Sequence, residues 1–261
     1  MLQTEPTLLP FTALESVAAI SARRVAQWRP GQARKVGPAL HSEVFSSSRE
    51  GAGAASALAL ALDDWRNIPH IDGQEAEDRR AVLWVQTREA ARLSGRPYRA
   101  GLPQDIADRL IHVLADKPED ALFALEEGLR CRDLAFVIGE VSGNPRALDF
   151  TASRRLTLAA QKHGVPLFLV RLDAARDLSS ARMRWEVTSA PSALHHWNAQ
   201  APGAPAWRAE LFRARTHPPG EWLLREEERQ LKALRERTAD NDAVGMDWTA
   251  GLQRRRLPQG G

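Results

Sequence analysis

The feature that most limits the fold of this chain is a series of short apolar runs that alternate with helical segments. Five runs follow one another, at residues 42–45, 81–85, 110–114, 134–138 and 165–170. Strands that are apolar along their whole length are buried on both faces, which is typical of parallel strands covered by helices. We therefore predict an α/β fold with a mostly parallel twisted sheet that is flanked by helices.

The segments between the runs carry helix signals. An alanine-rich helix is predicted from Ala54 to about Trp65, and a second helix follows Asp116 with Pro118 in its first turn. A third helix is capped by Asp149 or Thr151 and stops at Gly164. Each helix connects two predicted strands, as the crossovers of a parallel sheet require.

The pattern changes after residue 180. Residues 182–188 and 207–213 alternate apolar and polar side chains, and residues 218–220 form a Pro-Pro-Gly turn that leads into 221–224. We predict an antiparallel hairpin extension here. Three regions result: an N-terminal helix (12–28) and linker at 1–39, a core domain at 40–226, and a charged helix (226–237) with a disordered tail at 227–261.

Composition excludes several classes of protein. No apolar run approaches the roughly 20 residues that cross a bilayer, and the N-terminus has no secretory pattern, so we expect a cytoplasmic protein without membrane contact. Cys131 is the only cysteine, which removes disulfides and multi-cysteine metal sites, and we expect it to be buried. No two of the seven histidines have the i, i+4 spacing of a helical zinc site. We expect no metal and no cofactor.

Residues 48–56 lie between the first strand and the alanine-rich helix, where a phosphate-binding P-loop would lie. Ser48 replaces the first glycine of that motif, Gly53 keeps the second, Ala54 replaces the lysine and Ala55 replaces the hydroxyl residue. Gly51 adds a further glycine. Because the groups that hold phosphate charge and magnesium are missing, we predict a degenerate loop that packs a helix on the sheet and does not hydrolyse ATP.

Four stretches resemble RecA-like proteins, and more closely the ImuA (inducible mutagenesis) family, whose members keep that fold in degenerate form. The first is Glu-Val-Phe at 43–45, which leads into the glycine-rich turn, and the second is residues 121–141, with Leu-Glu-Glu-Gly-Leu-Arg-Cys and Phe-Val-Ile-Gly-Glu-Val. The third is residues 148–171, with Thr-Ala-Ser-Arg-Arg-Leu. The fourth combines Pro-Ala-Trp-Arg at 205–208 with Pro-Gly-Glu-Trp at 219–222. The resemblance implies that residues 40–226 are a RecA-like core domain.

The resemblance also places candidate catalytic positions. Where an active RecA-like ATPase has a water-activating glutamate, this sequence has Arg88, with Glu89 one residue later. Where the magnesium-binding aspartate would end a strand, it has Gly139, with Glu140 as the nearest carboxylate. We interpret Glu140 as a cap of the following turn. No catalytic residue is therefore predicted.

The family resemblance implies an accessory role in the SOS-inducible mutasome, through contacts with a Y-family-like polymerase homologue, an error-prone replicative-type polymerase and the RecA recombinase. DNA contacts, direct or indirect, would come from the loops at 142–146 and 173–182. Candidate contact residues near these loops are Arg146, Arg154, Arg155, Arg176 and Arg182. Two alternatives are a RecA-like nucleotide-dependent DNA-binding ATPase and a SulA-type cell-division inhibitor.

Overall fold

The computed structural model describes residues 41–66, 78–192, 197–198, 200–215, 218–227 and 229–234. One sheet of nine strands has the order β3-β2-β4-β5-β1-β6-β7-β8-β9. The strands are β1 (His41–Ser46), β2 (Ala81–Thr87), β3 (Leu110–Ala115), β4 (Leu134–Ser142), β5 (Leu167–Leu172), β6 (Met183–Ala190), β7 (Ala206–Ala214), β8 (Gly220–Glu227) and β9 (Gln230–Leu234). The predicted helix at 12–28, the linker and the tail beyond residue 234 lie outside the described residues.

Helices cover both faces of the parallel part of the sheet. They are α1 (Ala52–Arg66), α2 (Arg88–Ser94), α3 (Gln104–Ala107), α4 (Pro118–Arg130) and α5 (Phe150–His163), with a 3-10 turn at Arg99–Gly101. Helix α1 packs on one face with an apolar core around Leu60, Phe136 and Trp185. Helices α4 and α5 pack on the other face around Leu125, Leu156 and Leu169. The predicted α/β fold, mostly parallel with antiparallel C-terminal strands, is confirmed.

Local signals explain where α4 and α5 begin and end. Asp149 caps α5, because its Oδ1 accepts the Ala152 N–H at 2.7 Å, and Gly164 closes the helix in the left-handed region with φ +75°. Pro118 opens α4, as predicted, but its cap position is Lys117, and the Asp116 carboxylate instead accepts from Arg88. Cys131 follows α4 and is exposed, so the expectation that it is buried is wrong.

Strand β6 joins the parallel and antiparallel parts of the sheet. It pairs with β7 in the antiparallel direction, as predicted for this region, and with β1 in parallel, while β7, β8 and β9 form antiparallel pairs. The parallel pairing with β1 follows from the connection between β5 and β6, residues 173–182, which we call the strap. The Asp173 N–H donates to Ser46 O and the Arg182 N–H to His41 O, so the strap runs back along the whole of β1 without forming a helix.

The predicted charged helix at 226–237 is wrong where the structure describes it. Residues 220–227 and 230–234 are the antiparallel pair β8 and β9. Leu231 is buried against the α1 face of the sheet, and its N–H donates to the Asp63 carboxylate of α1 at 2.7 Å. Pairing and burial therefore override the high helix propensity of these charged residues.

Candidate functional site

The glycine-rich turn joins the carboxyl end of β1 to α1. Because β1 lies between β5 and β6, the turn is at an internal position of the sheet, where α/β proteins often bind ligands. Gly53 allows α1 to approach closely: a Cβ at this position would lie 2.9 Å from Ser46 Cβ and 3.0 Å from Val170 Cγ1. Gly51 has no neighbour within 4 Å of such an atom. A side chain at position 53 would therefore crowd β1 and β5, which Gly53 avoids.

Three successive amides of this turn already have acceptors inside the protein. The Ser48 N–H donates to Asp173 Oδ1 at 3.0 Å, the Arg49 N–H to Ser47 Oγ at 3.2 Å, and the Glu50 N–H to Ser47 O at 3.2 Å. In a phosphate-binding loop such amides point at the ligand. Here they stabilise the turn itself.

Carboxylates also occupy the surroundings of the turn. Asp173 begins the strap in the left-handed region, with φ +50°, a conformation that aspartate tolerates better than most residues. Hydrogen bonding to Ser48 lowers the pKa of the Asp173 carboxyl. Glu50 accepts the Ser189 N–H of β6 at 2.8 Å. Two negative groups are thus fixed beside the turn, while Ala54 and Ala55 supply no cation and no hydroxyl.

Glu140 does not cap a turn, so that interpretation is wrong. It lies inside β4, is buried, and pairs in register with Gln86 of β2. Its carboxylate accepts from Trp84 Nε1 at 2.6 Å, from Gln86 Nε2 at 3.1 Å and from Ser94 Oγ of α2 at 2.8 Å. Burial raises the pKa of Glu140, although these three hydrogen bonds act in the opposite direction. The carboxylate thus connects two strands to α2.

The residues at the water-activating position form surface ion pairs. Arg88 Nε donates to Asp116 Oδ1 at 2.7 Å. Glu89 accepts from Arg92, one turn further along α2, at 2.7 and 3.1 Å. Arg88 and Glu89 therefore each form an ion pair with another exposed side chain.

A buried polar cluster joins β1, β5, β6, α5 and the strap. We define it as His41, Glu43, Ser153, Thr157, Arg171, Ser179, Ser180 and Arg184, most of which are buried. Glu43 accepts from Arg184 Nε at 2.7 Å and from Ser179 Oγ at 2.8 Å, and Arg171 Nη1 lies 3.5 Å from the same carboxylate. The Arg184 guanidinium lies beside the edge-to-face pair of Phe45 and Phe212, at 5.0 and 5.2 Å from their ring centroids, which are 5.6 Å apart.

Hydroxyl groups connect this ion pair to His41. Ser179 Oγ lies 2.8 Å from Ser153 Oγ, Ser180 Oγ lies 2.6 Å from Thr157 Oγ1, and Thr157 Oγ1 lies 2.9 Å from His41 Nδ1. These contacts hold the strap against α5 and β1. Because a buried charge that loses its partner is strongly destabilising, the cluster fixes the strap in place.

The two loops that were candidates for DNA contact are bonded to each other. Asn144, in the loop after β4, donates to Ala175 O at 3.1 Å and to Asp177 Oδ2 at 2.7 Å, and it accepts the Ala175 N–H at 2.7 Å. The Gly143 N–H also donates to Leu172 O at 2.7 Å. Both loops are therefore short and held together.

The five candidate arginines have different surroundings. Arg155 pairs with Glu126 of α4 at 3.2 Å, Arg176 pairs with Glu186 and Glu210, and Arg182 faces the side-chain amide of Gln161. The Arg176 guanidinium also stacks on Phe212, 4.0 Å from the ring centroid. Arg146 and Arg154 are exposed, and within the described ranges their side chains form no ion pair or hydrogen bond.

Sequence reasoning did not identify Asp173, Glu43 or Arg184 as important. For Arg171 a signal existed, because a single arginine inside the apolar run Leu-Phe-Leu-Val-Arg-Leu predicts a buried, paired guanidinium. The described part of the chain contains no group of three His, Cys, Asp or Glu side chains that could hold a metal ion. None of its helices is both long and apolar enough to cross a bilayer.

Comparison with known proteins gives one consistent result. No family model matches the chain. It is similar to Protein ImuA of Caulobacter vibrioides strain NA1000 / CB15N and to Protein ImuA of strain ATCC 19089 / CIP 103742 / CB 15. Each is 33% identical over 159 residues, which are 57% of this chain and 61% of the relative, so the match spans less than two thirds of the relatives' length. By this similarity the chain resembles Protein ImuA over the matched 159 residues.

Proposed function

We propose that this chain is a non-catalytic accessory protein of the SOS-inducible, error-prone translesion synthesis machinery, and that it acts through protein contacts. Its sheet would be a RecA-like domain that no longer uses a nucleotide. The partners would be a Y-family-like polymerase homologue, an error-prone replicative-type polymerase and the RecA recombinase, in the cytoplasm, with DNA contacted directly or through these proteins. Similarity to Protein ImuA over 159 residues supports this pathway.

The observation that carries the non-catalytic part is the internal bonding of the glycine-rich turn. A nucleotide site needs amides that are free to bind phosphate, together with a lysine and a magnesium ligand. At this turn the Ser48, Arg49 and Glu50 amides have internal acceptors, and the Asp173 carboxylate already binds the first of them. A triphosphate would have to displace that carboxylate and would be repelled by it. The arrangement favours a packing role.

The proposed role in protein contacts is supported by the fixed loops. A RecA-like filament protein would use long loops after β4 and β5 to bind DNA. In this chain Asn144 joins these loops, and the strap is bonded to the buried polar cluster. Rigid, short loops favour a preformed surface for another protein over a flexible channel for a nucleic-acid strand.

The first experiment uses the purified full chain alone, followed by the chain with the recombinase. Alone, we expect no ATP hydrolysis and no rise in the unfolding temperature on addition of Mg-ATP. With the recombinase, we expect complex formation, measured by light scattering with and without single-stranded DNA and ATP. Intrinsic hydrolysis that is lost in Gly53→Val or Glu140→Gln would contradict the non-catalytic proposal and favour the ATPase alternative.

The division-inhibitor alternative makes a separate prediction. A SulA-type protein would bind a tubulin-like division protein and inhibit its polymerisation, whereas an accessory mutagenesis protein would not. Sedimentation of the polymer in the presence and absence of this chain distinguishes the two. Inhibition at a stoichiometric ratio, without recombinase or polymerase binding, would replace the proposed function with this alternative.

A further inference from the structure

One surface of the molecule combines exposed apolar side chains with arginines that have no partner among the described residues. Along α5, Phe150, Arg154 and Leu158 follow one another at intervals of four residues and therefore lie along one side of the helix. All three are exposed, Phe150 by 48% and Leu158 by 50%. Arg146 precedes the helix and is also exposed.

The strap adds an apolar residue to this surface. Leu178 is 77% exposed, although both of its neighbours in the chain are fixed. Asp177 accepts from Asn144 at 2.7 Å, and Ser179 lies 2.8 Å from Ser153 on the first turns of α5. Leu178 is therefore held between the loop that carries Arg146 and the beginning of the helix that carries Phe150 and Arg154. We call Arg146, Phe150, Arg154, Leu158 and Leu178 the α5 surface.

Resting on the function proposed above, we propose that the α5 surface binds a protein segment in which acidic residues flank apolar ones. The choice of partner follows from the side chains. Arg146 and Arg154 are available for carboxylates of a partner, because no described residue forms an ion pair with them. Leu158 and Leu178 require apolar side chains, because aliphatic groups gain by removal from water and cannot pair with charges.

A nucleic acid fits this surface less well. Phosphate binding depends on several clustered cations, and aromatic side chains supply the stacking platforms for bases. The nearby arginines Arg155 and Arg176 are occupied by Glu126, Glu186 and Glu210, whose carboxylates would repel phosphate. Phe150 is the single aromatic residue of the α5 surface, and its other apolar members are leucines.

The experiment compares two matched variants of the full chain. Leu158→Asp with Leu178→Asp changes the α5 surface, and Phe123→Asp changes another exposed apolar side chain, on α4, that is 67% exposed. The probes are the purified recombinase, the Y-family-like protein and the polymerase, each titrated separately. We expect the double variant to weaken one of these complexes by at least about tenfold, as loss of anchor residues does, and Phe123→Asp to leave its dissociation constant within about twofold.

Charge supplies an independent readout. Arg146→Glu with Arg154→Glu is expected to weaken the same complex and to reduce its salt dependence, because the two ion pairs that salt screens are removed. Equal binding by wild type and both double variants would overturn the α5 surface while leaving the proposed function intact. Failure of wild type to bind any of the three probes would overturn the proposed function and, with it, this inference.

Other occupants give different results. If the leucine variant lost binding of a labelled oligothymidylate and not of the proteins, the surface would belong to a nucleic acid. If it turned a dimer into a monomer, the occupant would be a second copy. If it lowered the free energy of unfolding of the isolated chain and Phe123→Asp did not, another part of the same chain would cover the surface. Each of these outcomes contradicts the proposal.

Discussion

His41 is completely buried at the start of β1, where only one of its ring nitrogens is bonded. Nδ1 lies 2.9 Å from Thr157 Oγ1, and Nε2 has no hydrogen-bond partner among the described residues. Burial lowers the pKa of this imidazole from 6.5 to about 4; Glu43 opposes this change, and Arg171 and Arg184 add to it. The neutral ring is therefore part of the folded structure, and protonation opposes folding.

Stability is accordingly expected to fall as the pH decreases from 6.5 to about 4. In this range the unfolded chain takes up a proton at His41 that the folded protein does not, which favours unfolding. At about 1.4 kcal/mol for each pKa unit, the effect is on the order of 3 kcal/mol. Urea unfolding of wild type and His41→Gln at pH 4, 5.5 and 7 should show that the free energy of unfolding falls less in the variant as the pH decreases. An equal fall in both proteins would show that His41 is not the group responsible.

Glu140 predicts the opposite pH dependence. Since burial raises the pKa of its carboxyl, the folded state binds this proton more tightly than the unfolded state, so the contribution to stability is lost as pH rises through the raised value. At pH 7, Glu140→Gln should be at least as stable as wild type, because an amide oxygen can still accept from Trp84 and Gln86.

A comparison of Glu140→Gln with Glu140→Ala measures how much the hydrogen bonds of Glu140 contribute to stability. The alanine variant leaves buried Trp84 Nε1 without its acceptor and removes one of the two acceptors of Gln86 Nε2, while Ser94 Oγ keeps Ala90 O; an unsatisfied buried donor costs about 1–3 kcal/mol. Urea unfolding should rank wild type and Glu140→Gln well above Glu140→Ala. Equal stability of the two variants would show that the hydrogen bonds contribute little.

Residue types alone could not predict these buried groups. The apolar run around Arg171 indicates that this arginine is buried, but only the arrangement of β1, β5 and β6 shows that Arg171 and Arg184 share Glu43. Likewise the period of a strand places Glu140 on one face, but not against Trp84 of the neighbouring strand. The absence of the P-loop lysine, in contrast, was visible directly, because Ala54 occupies its position.

The contact of α1 with the sheet depends on one glycine. Gly53→Ala would place a Cβ 2.9 Å from Ser46 Cβ, so α1 must shift; overpacking of this kind costs about 1–3 kcal/mol, partly offset by the helix propensity of alanine, about 1 kcal/mol. Gly51→Ala is the control, because its Cβ would meet nothing within 4 Å. We expect thermal unfolding to show a lower Tm for Gly53→Ala only. Similar Tm values would mean that α1 adjusts freely.

The joined loops predict a local change without global unfolding. Asn144→Ala removes the acceptor of the Ala175 N–H and both bonds donated to the strap. Hydrogen exchange at Ala175 should become faster, while Leu169 in the core of β5 keeps its protection. Arg146→Ala, in the same loop, is the control and should leave both rates unchanged. Slow exchange at Ala175 in Asn144→Ala would show that the cluster holds the strap without the loop.

Element positions followed from the sequence in the parallel half and less well beyond it. Continuous apolar runs and helix caps located β2, α4 and α5 to within a few residues. Alternation in residues 182–188 correctly predicted a strand, but a half-buried strand has the same period whether it pairs in parallel or antiparallel. The direction of β6 depends on the strap, whose path is set by buried polar contacts that no periodicity records.

At the scale of the whole molecule, one continuous sheet extends to β9, and we expect it to unfold as one cooperative unit. Leu231 is 2% exposed and Leu234 is 43% exposed, although both belong to this last strand. Leu231→Ala should lower the free energy of unfolding by about 2–4 kcal/mol, as in other cores, and Leu234→Ala by less than about 1 kcal/mol. Urea unfolding measures both. Equal small effects would mean that β9 separates before the rest unfolds.

The buried polar cluster has one more effect, on strand alignment. Glu43, Arg171 and Arg184 come from three adjacent strands, and neighbouring side chains on a strand point to opposite faces. A slip of β6 by one residue would turn Arg184 into the apolar core beside α1 and bring Trp185 against Glu43. If these positions held apolar side chains, the same shift would cost less than it does when a charged side chain moves into an apolar core. The three charged side chains thus select a single alignment of the central strands. Through it they also set the register of the strands that pair on either side, β4 next to β5 and β7 next to β6.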